Sequence, residues 1–106
     1  MKKLIVLCLL AAPLAVFAAE KVVVQEIGQK DRTFSKSSIS IKKGEKVKFV
    51  NDDSVTHNLF SQSKGAEFNV SQKPGESAER TFETTGEIEV RCAIHPKMKL
   101  VIKVSE

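Results

Sequence analysis

Ser38-Ile39-Ser40-Ile41-Lys42-Lys43-Gly44-Glu45-Lys46-Val47-Lys48-Phe49-Val50 is the stretch that decides the fold class. Ile39 and Ile41 alternate with Ser38, Ser40 and Lys42, and Val47 and Phe49 fall in phase after the turn residues Lys43-Gly44-Glu45. Side chains of a strand point to opposite faces in turn, so each run is a strand with one apolar side. The same punctuation recurs downstream. Phe68–Val70 is a short strand candidate, Lys73-Pro74-Gly75-Glu76 is a turn, and Ala78–Phe82 returns from it. Thr85-Gly86 turns into Glu87–Cys92, where Ile88, Val90 and Cys92 share one face; Leu100, Ile102 and Val104 mark a last strand. Upstream, Val22, Val23, Val24 and Ile27 mark a first strand over Lys21–Ile27, and the polar segment Phe60–Glu67 is expected to be a long loop. Short strands separated by turns, with no helical period, predict an all-β protein: a Greek-key antiparallel β-sandwich.

The chain has 106 residues, enough for one domain. It opens Met1-Lys2-Lys3, runs apolar from Leu4 to Phe17 around Pro13, and offers the small-residue site Val16-Phe17-Ala18. That pattern predicts a secretory signal peptide over residues 1–18, removed on export to the periplasm. The apolar run is too short for a membrane span, and no membrane insertion is expected. Cys8 would be lost with the signal, leaving residues 19–106 as a single domain and, in our reading, a monomer. Loss of Lys2 and Lys3 lowers the net charge from +4 to +2. So mild a balance argues against nucleic acid, which needs a concentrated basic surface.

Beyond residue 18 the chain holds one Cys, one Met and two His. A lone Cys in an exported chain has no internal disulfide partner, leaving a free thiol, an intermolecular bridge or a metal ligand. Three of the four residues fall in Cys92-Ala93-Ile94-His95-Pro96-Lys97-Met98, and His57 follows the Asn51-Asp52-Asp53 turn. Two imidazoles and a thiolate around the ion, with a thioether on a long axial bond, are the donors of mononuclear electron-transfer copper sites. Soft sulfur suits Cu(I) and imidazole suits Cu(II), so a rigid site with both passes electrons with little rearrangement. The candidate ligands are therefore His57, Cys92, His95 and Met98, holding one Cu(I)/Cu(II) ion per chain.

On these residues the sequence resembles the cupredoxins, the small blue-copper proteins, over nearly all of residues 19–106. Ile41 through Asn51 is similar to the strand–turn–strand before that family's first ligand, and Thr56-His57-Asn58 to its first histidine motif. Lys73-Pro74-Gly75-Glu76 through Phe82 and Gly86 resembles its next hairpin, and Cys92-x2-His95-x2-Met98 resembles an amicyanin/plastocyanin-like type 1 ligand loop. The resemblance implies a non-enzymatic electron carrier. It also implies that the Asn58 side chain ties the His57 segment to the Cys92 loop, and that His95 opens to solvent as the electron exit. The sequence departs from the pattern in two respects. Arg91 and Val90 stand where many carriers have an aromatic residue, and Leu100 stands where many have Gly.

Competing readings stay open at this level. Cys92 could be a small apolar core residue, and Met98 could be core filling in phase with Leu100, Ile102 and Val104. Zinc is a rival metal, although a thioether is a poor fourth ligand for it. Haem is disfavoured without Cys-x-x-Cys-His. A catalytic Cys–His pair would leave the other two residues without a role. Asp52-Asp53 reads as a turn. Arg91, Lys97 and Lys99, with Pro96, form either a solvated basic rim or the docking face for an unidentified redox protein with an acidic surface. Two functions follow: a periplasmic electron shuttle, or an exported protein of copper tolerance that binds or oxidises excess copper. The two departures incline toward the second.

Overall fold

The computed structural model describes residues 23–106; the expected signal peptide and the first residues of the expected Lys21–Ile27 strand lie outside the described residues. Nine strands follow in order: β1 (Val24–Lys30), β2 (Thr33–Phe34), β3 (Ser38–Lys42), β4 (Lys46–Asn51), β5 (His57–Ser61), β6 (Phe68–Gln72), β7 (Ser77–Thr81), β8 (Gly86–Cys92) and β9 (Lys99–Ser105). They form two sheets, a four-stranded one in the order β2-β1-β4-β7 and a five-stranded one in the order β3-β9-β8-β5-β6. The sheets pack face to face as the expected sandwich.

Strict alternation builds the core. Val47 and Phe49 of β4, Leu59 of β5, Ile88 and Val90 of β8, and Leu100 and Ile102 of β9 are all buried. Phe82, just past the end of β7, turns in to join them. In β5 the inward phase falls on His57, Leu59 and Ser61, and in β8 on Ile88, Val90 and Cys92. The same period that buries the core thus points His57 and Cys92 between the sheets. Buried apolar area contributes roughly 25 cal/mol per Å², so this alternation both holds the fold and orients the site.

Three expectations need correcting. The sheets are mixed rather than purely antiparallel: β1 lies parallel to β4 (Ile27 opposite Phe49) and β3 parallel to β9 (Ile39 opposite Ile102). Parallel neighbours need a crossover, and here the chain passes to the opposite sheet and back between them. The Phe60–Glu67 loop is shorter than expected, because Phe60 and Ser61 pair with Asn69 and Phe68 as part of β5. The small strand β2 was not foreseen. It closes on β1 through a two-residue turn, Asp31-Arg32, whose φ angles of 51° and 56° are left-handed. That is the two-residue primed-turn pattern, and without glycine it carried no sequence signal. At the foreseen Lys73–Glu76 turn, Pro74 precedes Gly75 at φ 84°, and the Glu76 amide donates to the Lys73 carbonyl at 3.0 Å, as in a type II turn.

A buried amide network joins the sheets at the end where His57 lies. Gln29 donates to Gln72 at 2.8 Å, and Gln72 donates to the Phe49 carbonyl at 2.9 Å. Asn51 donates to the Gln72 and Val55 carbonyls, each at 2.9 Å. Gln72 stands opposite His57 in the β5–β6 pair. Buried polar groups are costly unless paired, so this network fixes the register of the segment that carries His57.

Candidate metal centre

The site forms where β5 begins and β8 ends. Leu59 and Cys92 are paired across the two strands, and the Ala93 amide donates to the Asn58 carbonyl at 2.9 Å. The Asn58 amide in turn faces the Cys92 Sγ at 3.4 Å. The two ligand segments are therefore joined through the Asn58 backbone. The side chain contributes none of these bonds, and its Oδ1 is buried without a hydrogen-bond partner. After Cys92 the chain loops out and returns, with the Met98 amide donating to the His95 carbonyl at 3.0 Å.

Three of the four expected ligands converge. Cys92 Sγ is 3.6 Å from His57 Nδ1 and 3.9 Å from His95 Nδ1, and the two Nδ1 atoms are 3.1 Å apart. His57 and Cys92 are buried, and His95 is half-buried. Such spacings suit nitrogen and sulfur donors roughly 2.0–2.3 Å from a common first-row ion. The three donor atoms face one another, those of His57 and Cys92 buried and that of His95 on a half-buried ring. A proton can serve two of these atoms, and one metal ion can serve all three. The residues present therefore fit a metal. Met98 is buried at the return of the loop, 2% exposed, in phase with Leu100, Ile102 and Val104.

Asp53 belongs to this site, and reading Asp52-Asp53 as a turn had missed it. Its Oδ2 lies 3.0 Å from His57 Nε2, on the side of the ring away from Cys92. The carboxylate also accepts the Arg32 amide at 2.9 Å and the Ser54 amide at 2.9 Å. These bonds, the Arg32 amide foremost and the His57 ring next, hold its pKa down at about 2. The only sequence signal was its place four residues before His57.

The expected docking residues divide. Arg91 forms an ion pair with Glu89 and donates to the Pro96 carbonyl at 3.0 Å, and Lys99 lies 3.7 Å from the same Glu89. Arg91 draws the Glu89 carboxyl below its ordinary pKa. Arg91 thus braces the ligand loop, and the single Glu89 carboxylate offsets one of the two charges of Arg91 and Lys99. Pro96 and Lys97 line an open, mostly apolar depression with Ile94, His95 and Arg32. Ile94 is 54% exposed there. Among the described residues no helix is long and apolar enough to cross a membrane.

A sandwich whose sheets close over two histidines and a cysteine at one end defines a mononuclear metal-site β-protein. Residues 21–105 match the sequence model of the family described as copper binding proteins, plastocyanin/azurin family. The chain belongs to that family, and its metal is copper.

Solved structures agree with the fold. A copper-containing nitrite reductase from Thermus scotoductus SA-01 aligns with a TM-score of 0.72 at 26% identity, over 79% of this chain and 23% of that one. The chain thus spans under a quarter of that enzyme's length. A purple cupredoxin from Nitrosopumilus maritimus aligns with a TM-score of 0.67 at 28% identity, over 76% of this chain and 99% of that one. Amicyanin from Paracoccus versutus gives 0.69 at 24% identity, over 77% and 81%, a likeness of fold. No curated protein matches the chain.

Proposed function

We propose that this chain is a periplasmic one-electron carrier, holding one copper ion with His57, Cys92 and His95 and, axially, Met98. The observation that carries this reading is the convergence of the three donor atoms within 4.8 Å of one another, two of them buried. Bound copper would supply the Cu(I)/Cu(II) couple. The chain supplies rigidity: His57 sits on β5, Cys92 on β8, and the strands are bonded to each other beside the site. A site already shaped for the ion needs little rearrangement when the charge on the metal changes.

His95 gives this centre a way out. It is half-buried and shares the apolar depression with Ile94 and Pro96. That surface suits close approach of another redox protein better than binding of a substrate, which supports a carrier over an enzyme. Export to the periplasm rests on the signal-type segment at residues 1–18. A second reading, copper tolerance, is favoured by Val90 and Leu100, which face each other across β8 and β9, fully buried. Val90 and Arg91 put no aromatic residue in the two positions before Cys92.

Loading the purified protein with Cu(II) should give one ion per chain and an intense visible thiolate-to-copper band. Cys92→Ser should abolish the band while circular dichroism still reports the sandwich, because only the thiolate supplies that transition. A weak, pale-blue wild type would refute the assignment. Reduction by a periplasmic redox protein at a useful rate separates the carrier from copper tolerance, where the ion itself is the cargo.

A further inference from the structure

The two histidines of the centre are held differently. His57 is fully buried and its Nε2 meets the Asp53 carboxylate at 3.0 Å. His95 is half-buried, and its ring borders the surface depression. One imidazole is therefore backed by a full negative charge and the other by the protein's edge.

The geometry points to Asp53 as the positioning residue of the centre, fixing the His57 tautomer and lowering the copper reduction potential. This rests on the copper-site reading above. An ionised carboxylate can only accept, so the ring proton must sit on Nε2, and Nδ1 then presents its lone pair toward Cys92 and His95. The side chain of Asp53 is 9% exposed and its Oδ2 is held against the His57 ring, so its charge stays beside the imidazole. A fixed negative charge behind one ligand favours Cu(II) over Cu(I), which lowers the potential. It also makes the imidazole a stronger donor.

Asp53 is itself aimed. Its own amide donates to Asn51 Oδ1 at 3.0 Å, and Asn51 is anchored to the carbonyls of Val55 and Gln72. From the other side the Arg32 amide reaches Oδ2 at 2.9 Å. That amide is presented by the Asp31-Arg32 turn, where two non-glycine residues take left-handed φ angles of 51° and 56°. Strained backbone persists where its surroundings over-determine it. Here the strained turn at the tip of the β1–β2 hairpin delivers a donor to the carboxylate that orients the metal ligand.

Two measurements test this. The first needs no copper: nitrogen-15 NMR of the metal-free wild type should show His57 protonated at Nε2 near neutral pH, and Asp53→Ala should shift the ring toward a tautomer mixture. A wild-type His57 protonated at Nδ1, or a tautomer that Asp53→Ala leaves alone, overturns the positioning role. The second uses Asp53→Asn, which keeps the shape and the acceptor oxygen but removes the charge. Its tautomer should be that of the wild type, and its Cu(II) affinity should fall about 10- to 100-fold. If the loss for Cu(II) exceeds that for Cu(I) tenfold, the potential rises by about 59 mV. A copper-loaded Asp53→Asn protein with wild-type colour and an unchanged potential overturns the inference while the copper reading stands. A wild type that takes up no Cu(II) would instead overturn the copper reading, and the claim about potential with it.

Discussion

Met98 is the residue at which a packing role and a chemical one can be told apart. It is buried in phase with Leu100 and Ile102, as core filling requires, and it lies at the return of the loop that carries Cys92 and His95, where axial ligation would need it. Met98→Leu keeps nearly the same volume, a swap that costs under about 1.5 kcal/mol in a core. As an axial ligand, however, its loss weakens Cu(II) more than Cu(I), and the potential should rise while the visible band persists. Cyclic voltammetry decides the matter: an unchanged potential with unchanged copper stoichiometry makes Met98 a core residue alone. Cys92, His95 and His57 were legible in the sequence because their chemistry and spacing are unusual. Asp53 was not, because an Asp after Asn51-Asp52 looks like any turn residue until its distance to His57 Nε2 is known.

At the scale of elements, the centre is placed by turns and strand pairs that lie outside it. The Pro74-Gly75 turn returns the chain from β6 to β7, and it is bonded to β4 through the Gly75 amide and the Asn51 carbonyl at 2.8 Å. Gly75 has φ 84°, and a Cβ there would meet nothing within 4 Å. Gly75→Ala should therefore cost only the backbone penalty, about 1–2 kcal/mol. In a domain of this size that lowers Tm by roughly 4–8 °C per kcal/mol. Thermal unfolding of the metal-free protein would show it; a variant as stable as the wild type would mean the turn relaxes freely. The alternation that revealed β3, β4, β8 and β9 was plain in the sequence, because one buried face imposes a period of two. β2 escaped notice because two residues paired through a glycine-free turn leave no period to read.

Across the whole molecule, the charge near the His95 edge divides, among the described residues, between paired and unpaired cations. Arg91 and Lys99 both engage Glu89, whereas Lys97 lies beside the apolar depression. If an acidic partner docks there, Lys97→Glu should slow bimolecular electron transfer and flatten its salt dependence. Lys99→Glu should have the smaller effect. Raising salt from 0.1 to 1 M shortens the Debye length from about 10 to about 3 Å, so stopped-flow rates over that range report the steering directly. Equal effects of the two reversals would show that Glu89 does not shield Lys99, and a flat wild-type rate would mean an apolar contact instead.

The sequence by itself determined the class of fold and the candidate donors of the centre. Alternation with a period of two is a local pattern, and the rarity of Cys, Met and His beyond residue 18 makes their clustering readable without coordinates. Only the tertiary structure decided which strands lie side by side, that β1 runs parallel to β4 and β3 to β9, and that Glu89 faces Arg91 and Lys99. It alone placed Asp53 behind His57. Strand order and the partner of a buried side chain are settled by contacts between segments distant along the chain. A residue's own neighbours in sequence carry no record of which distant group will meet it.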